Sequence, residues 1–263
     1  MTKPTNVAST NWSGAVITAP SGESFSVVSA EWKVPKVGHV PIETVKTSDV
    51  AEWIGIDGYN SRDVCQAGVM EVVGTSASGH KTVSCLAFDE WYPAAANIIS
   101  ASSFHVKPGD TIKVTVETTG AGATEATFIF SDETTGKTYD ASLTAPHGTS
   151  LQGNSAEFVV ETPEWISGGQ VSQPLLSDFV KSPVVFNDVS AIYQGGVAAS
   201  LASAQSIGMW TDDVPGTNGS YFQEAYGSIQ AGSDSVTVTE DHYWHYSALH
   251  GGTLLGANDY LLV

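Results

Sequence analysis

TIKVTVE, residues Thr111 to Glu117, alternates polar side chains with Ile112, Val114 and Val116. Successive side chains of an extended strand point to opposite faces, so a period of two describes a strand with one face in a core and the other in water. SVTVTE, from Ser235 to Glu240, repeats the pattern with Val236 and Val238. Working outward, residues 26–34, 51–57, 83–92, 126–130, 156–161 and 184–189 read as further strands separated by Gly, Ser, Asn and Pro. A helical period is weak throughout, and a short helix is expected only within residues 197–207. Many antiparallel strands punctuated by turns predict an all-β fold, an antiparallel double-sheet β-sandwich of the jelly-roll or concanavalin-like kind. No linker or internal repeat divides the chain, so residues 1–263 are expected to form one domain, with TDDVPGTNGS (211–220) as a loop.

Apolar residues make up 41% of the 263 and charged residues 14%, which favours a packed core over disorder. Against 28 Asp and Glu stand 10 Lys and Arg, a formal net charge of -18. That balance repels nucleic acid and anionic membrane surfaces, and neither is expected as a partner. Once the carboxylates are protonated, positive charge is capped by the 10 Lys and Arg, the 7 His and the amino terminus. Self-repulsion in acid is therefore small, and the composition suits low pH. No apolar run is long enough to span a membrane, and the opening MTKPTNVAST lacks the apolar heart of a signal peptide. Cys65 and Cys85 fall on neighbouring strand-like segments, a placement that admits one disulfide across a hairpin.

Parity sorts the candidate functional groups. In WIGID (53–57), Trp53, Gly55 and Asp57 share one face while Ile54 and Ile56 point to the core. Glu90 and Tyr92 share a face in FDEWYP (88–93), and Glu157 and Glu161 share one in AEFVVE (156–161). A sheet face carrying indole, phenol and carboxyl groups suits an extended peptide or a sugar.

NWSGA (11–15), WKVP (32–35), WIGIDG (53–58), QAG (66–68), EWYP (90–93), AEFVVE (156–161) and FNDVS (186–190) resemble, in order and approximate spacing, the signature blocks of the glutamic peptidases, or eqolisins. The resemblance implies a secreted, extracellular acid endopeptidase that needs no cofactor, works as a monomer and acts on protein or peptide substrates. It places the catalytic glutamine and glutamate at Gln66 and Glu161, with Trp53, Asp57, Glu90 and Tyr92 around them. Trp12 becomes a cleft wall, Glu157 the second candidate carboxylate, and a removed pro-segment is implied. The interval from Asp57 to Gln66 is about one residue shorter than in the fungal members. Their additional cysteines are absent here, and the stretch after Thr211 is longer.

Such a pair has a clear chemical logic. A glutamate can take a proton from water and return it to the leaving amine. A glutamine offers an acceptor and an N–H in one group that cannot ionise. The residues alone also admit a lectin-like carbohydrate-binding module, or a glycoside hydrolase using Glu90 and Glu161. Asp241, His242, His245 and His250 form the one cluster with metal-ligand chemistry, but histidines three apart on a strand diverge, and no metal is expected. HExxH, P-loop and GxSxG motifs are absent. Asn11-Trp12-Ser13 and Asn218-Gly219-Ser220 match glycosylation acceptors.

Overall fold

A computed structural model of the chain describes residues 7–38, 47–76, 78–167, 170–172, 174–179, 181–211, 222–230 and 232–240. The cluster of Asp241, His242, His245 and His250, the loop at 212–220 and Asn218 lie outside these residues. The strands are β1 Val7–Ser9, β2 Trp12–Thr18, β3 Phe25–Lys33, β4 Thr47–Ile56, β5 Val64–Thr75, β6 Lys81–Tyr92, β7 Asn97–Ile98, β8 Thr111–Thr118 and β9 Glu125–Asp132. They continue with β10 Lys137–Thr144, β11 Ser155–Glu161, β12 Trp165–Ser167, β13 Gln170–Ser172, β14 Leu175–Leu176, β15 Val184–Tyr193, β16 Gln205–Thr211, β17 Phe222–Ile229 and β18 Val236–Glu240. Among the described residues the one helical element is a 3-10 turn, Leu201–Ser203.

The antiparallel sandwich expected from the alternation is present, but its two layers are one hydrogen-bonded ribbon folded over. The order is β10-β9-β8-β3-β15-β18-β17-β16-β2-β11-β4-β5-β6-β7. The fold-over lies in β15, whose Val184, Val185 and Phe186 pair with β18 while Asn187 to Tyr193 pair with β3. Between these two halves the register slips at Asn187/Ser190, and Asp188 adopts φ 49°. A bulge bends a strand sharply, which is how one strand serves both sheets.

The core fills the space between the layers. Trp32, Ile112, Val114, Val116, Phe128 and Phe130 enter from one side. Ile54, Ile56, Ala67, Val69, Phe158 and Val160 enter from the other. Phe186 joins them at the corner, 5.3 Å from Trp32 and 6.4 Å from Phe158 between ring centroids. Because the core claims one parity of β4, β5 and β11, the other parity is pushed onto the opposite face.

Two local expectations are revised. In place of a helix within 197–207, Ser200 caps only the short 3-10 turn by accepting from the Ala202 N–H. Ala204 then returns to extended backbone, and alternation resumes with Ile207 and Met209 buried. Cys65 and Cys85 do lie on paired strands, but Cys65 stands opposite Trp91 and Cys85 opposite Glu71. That offset of six ladder positions is roughly 20 Å, too far for a disulfide, and both thiols are free.

Candidate active site

Five neighbouring strands, β2-β11-β4-β5-β6, build one face. Register fixes what meets on it. Glu161 lies between Trp12 and Ala51, Trp53 between Val159 and Gly68, and Gly55 between Glu157 and Gln66, with Glu90 beyond Gln66. Small residues at Ala51, Gly55 and Gly68 leave the middle of the face low, with polar groups on either bank. Glycine is required at Gly68, where a Cβ would come within 2.7 Å of the Trp53 Cβ, and at Gly58, where it would meet the Trp12 ring at 2.9 Å.

Trp53 connects the banks. Its Nε1 donates to Glu161 Oε2 at 2.6 Å, while a Cβ placed on Gly55 would lie 3.1 Å from its Cζ3 and 3.2 Å from the Gln66 Cβ. The indole therefore measures the gap between Glu161 and the base of Gln66. Trp12 packs edge-on against it, with centroids 4.9 Å apart and planes at 79°.

Glu161 is half-buried at the end of β11. Asn11 Nδ2 donates to its Oε1 at 3.0 Å, so each carboxyl oxygen receives an N–H. Burial pushes this carboxyl up, to about 8; the Trp53 indole pulls against it, the charge of Glu90 adds to it, and Trp12 and Asn11 oppose it. The influence of Glu90 shows that the two banks are electrically coupled. Gln66 Nε2 donates to Glu90 Oε2 at 2.5 Å, whereas the buried Gln66 Oε1 has no partner among the described residues. Burial raises Glu90 too, partly offset by that amide.

The other expected residues take different positions. Asp57, at φ 70°, accepts backbone N–H groups from Gln152, Gly153 and Asn154 at 2.6, 3.0 and 2.8 Å. It ties a distant loop to the end of β4, and although burial raises it, those three N–H groups hold it down. Glu157 is wholly buried on the Gln66 row, raised by burial and the Asp57 charge, with the Ser155 side chain and the Tyr59 backbone opposing. Tyr92 stands half in solvent at the rim.

Sequence reading passed over two groups. Asn11 was visible only as part of a string and as a glycosylation acceptor, yet its amide is turned toward Glu161. Glu52 and Glu71 lie on the core parity of β4 and β5, fully buried, with Cys85 Sγ donating to Glu71 Oε1 at 3.4 Å. The alternation that sends Ile54 inward sends Glu52 inward as well, and that signal was legible. Among the described residues no group of three or more His, Cys, Asp or Glu is placed to hold a metal ion, and no helix is long and apolar enough to cross a membrane.

The protein is a folded-over β-sandwich that presents carboxyl, amide and indole groups on one open sheet face, a surface suited to binding an extended peptide. Residues 10–239 match the Peptidase A4 family, and the chain belongs to that family. It is 29% identical to scytalidopepsin B of Scytalidium lignicola over 196 residues, 74% of this chain and 68% of that protein. It is 28% identical to aspergillopepsin-2 of Aspergillus niger over 246 residues, 88% and 77% of the two chains. Scytalido-glutamic peptidase, solved with a transition state analogue inhibitor, superposes with a TM-score of 0.70 at 24% identity over 88% of this chain and 98% of that one. Aspergilloglutamic peptidase gives 0.58 at 27% identity, covering 74% and 99%. The chain is thus an enzyme that hydrolyses peptide bonds, and the lectin-like and glycoside hydrolase alternatives give way.

Proposed function

We propose that this acid endopeptidase uses Glu161 as general base and then general acid, with Gln66 orienting the attacking water and stabilising the oxyanion. The observation that carries the reading is the contrast between the two groups on one face: both Glu161 oxygens are gripped by N–H donors, and Gln66 holds an Oε1 unsatisfied among the described residues.

A water between the banks donates one proton to Glu161 and the other toward Gln66 Oε1. As the water oxygen bonds to the peptide carbon, Glu161 takes its proton, and the carbonyl oxygen gains charge that the second N–H of Gln66 Nε2 meets. Collapse breaks the C–N bond, and Glu161 passes its proton to the departing nitrogen.

Attack requires Glu161 ionised. Its two oxygens face donors only, whereas Glu90 takes one N–H, on Oε2. The donor count therefore favours the negative charge on Glu161 over Glu90, against the burial that raises Glu161. Protonating Glu90 removes one of the two effects that raise Glu161; burial, the larger one, is opposed by the Trp53, Trp12 and Asn11 donors. An extended peptide would lie across the face between Trp12 and Tyr92, in keeping with the related eqolisin-family peptidase solved with the tripeptide Ala-Ile-His. Secretion is the setting in which such an acid enzyme works.

The role of Gln66 is tested with a peptide bearing a tetrahedral transition-state mimic. Gln66→Ala is expected to weaken its binding on the order of 100-fold while a substrate-like peptide loses about threefold or less. Equal losses for both ligands would make Gln66 a mere contact residue.

A further inference from the structure

Glu161 is held from outside its own strand by a short chain of polar groups, of which the mechanism above uses only the final N–H of Asn11. Asn11 lies in the bend between β1 and β2, and its backbone carbonyl accepts the N–H of Thr162, the residue after Glu161. Asn11 is thereby fastened to the end of β11, and its amide reaches Glu161 Oε1 at 3.0 Å.

Which end of that amide faces Glu161 is set by Ser9. The buried Ser9 hydroxyl accepts two backbone N–H groups, from Asn11 at 3.3 Å and Trp12 at 3.1 Å. A hydroxyl has two acceptor positions and one proton. With both acceptor positions used, the proton is left for Asn11 Oδ1, 3.2 Å away. An amide whose oxygen is engaged by Ser9 must turn its NH2 toward Glu161. The NH2 has no acceptor capacity, so the Glu161 oxygen it meets has to act as an acceptor there. Trp53 Nε1 imposes the same condition on the other oxygen.

We propose that Ser9 and Asn11 form a positioning relay that fixes Glu161 as a hydrogen-bond acceptor and so keeps it ready to remove a proton from water. This deepens the reading above and rests on Glu161 being the base. Charged and titratable neighbours that face Glu161 are Glu90 from β6, with Trp53 from β4 and Trp12 from β2 as donors. The relay is the contribution from the β1–β2 bend.

The test follows the Glu161 side-chain carboxyl by carbon NMR through a pH titration, its signal assigned by loss in Glu161→Gln, alongside the pH profile of kcat/KM. Asn11→Ala should move the Glu161 titration and the acid limb of kcat/KM upward together by about one pH unit, with kcat down at least tenfold and KM within about twofold. Ser9→Ala should shift both the same way by a smaller amount. Asn11→Asp keeps the shape of the side chain and its bond to Ser9 but removes the donor, so it should fail to restore the parent profile. An unmoved titration and acid limb in Asn11→Ala or Asn11→Asp would overturn the relay, as would full rescue by Asn11→Asp. Should Glu161→Gln itself still cleave, the catalytic reading falls, and the NMR shift alone still decides whether the relay exists.

Discussion

The strings that carry Glu161 and Gln66 were legible, and parity put Trp53 and Glu161 on one face, where the structure joins them by a hydrogen bond. The Asp57 assignment to the site was only partly informative. Its three partners are 95 to 97 positions away in sequence, and no local pattern announces a loop that folds back onto one carboxylate. Asn11 escaped notice for the same reason, being 150 positions from the group it touches. Trp53 offers a clean residue-scale test. Trp53→Phe keeps an aromatic ring against Trp12 but removes the donor to Glu161 Oε2. The expected outcome in steady-state kinetics is a fall in kcat/KM on the order of 100-fold, with the acid limb displaced to higher pH. A unchanged limb would show that the indole acts by shape alone.

Elements decide whether those residues can meet. The face exists because β4 and β5 approach closely beneath Trp53, and Gly68 allows that approach. Adding one methyl in Gly68→Ala would place a Cβ 2.0 Å from the Glu52 backbone oxygen. The strands must then part, with an expected stability loss of about 1–3 kcal/mol in urea unfolding and a larger proportional loss of activity, since Trp53 is displaced. Phe158→Ala, on the core side of β11, should behave oppositely. A loss of about 3–5 kcal/mol is expected from the cavity, with kcat of the folded fraction retained. The strands themselves were readable from period two, but the bend of β15 was not. Its bulge interrupts a run, FNDVS, that looks like any other strand, and only pairing with two different partners reveals the corner. The supposed helix near Ser200 failed because its alanines and serines fit a helix while burial of Ile207 and Met209 demands alternation.

At the scale of the whole molecule, the acidic composition was read as suitability for low pH, and the core supplies a specific cause. Glu52 and Glu71 are fully buried between the layers, facing each other, Cys85 and the Trp32 indole. Among the described residues neither Glu52 oxygen meets a donor at hydrogen-bond geometry. Burial and mutual repulsion push Glu52 well up, and burial pushes Glu71 to about 7. Both folded values exceed the unfolded one, so the folded state binds protons more tightly. Their contribution to stability is complete below the unfolded value of about 4.3 and drains away as pH rises toward and past 7. The melting temperature is expected to fall between pH 4 and pH 8, as the unfolding free energy falls with a limiting slope of about 1.4 kcal/mol per pH unit for each proton lost. Replacing both with glutamine should flatten that dependence, and calorimetry across the range checks it. Glu157, equally buried, adds in the same direction.

The central claim concerns one carboxyl group. Cleavage of an unfolded protein at about pH 3 by the parent chain and by Glu161→Gln, each shown to be folded by calorimetry, tests it most directly. The parent should cut, and the variant should be slower by at least roughly 1,000-fold because the face's other carboxyls, Glu90 with one donor and Glu157 with none at hydrogen-bond geometry among the described residues, are not held as Glu161 is. A variant that cuts at the parent's rate would remove Glu161 from the chemistry and with it the account of how this face hydrolyses a peptide bond.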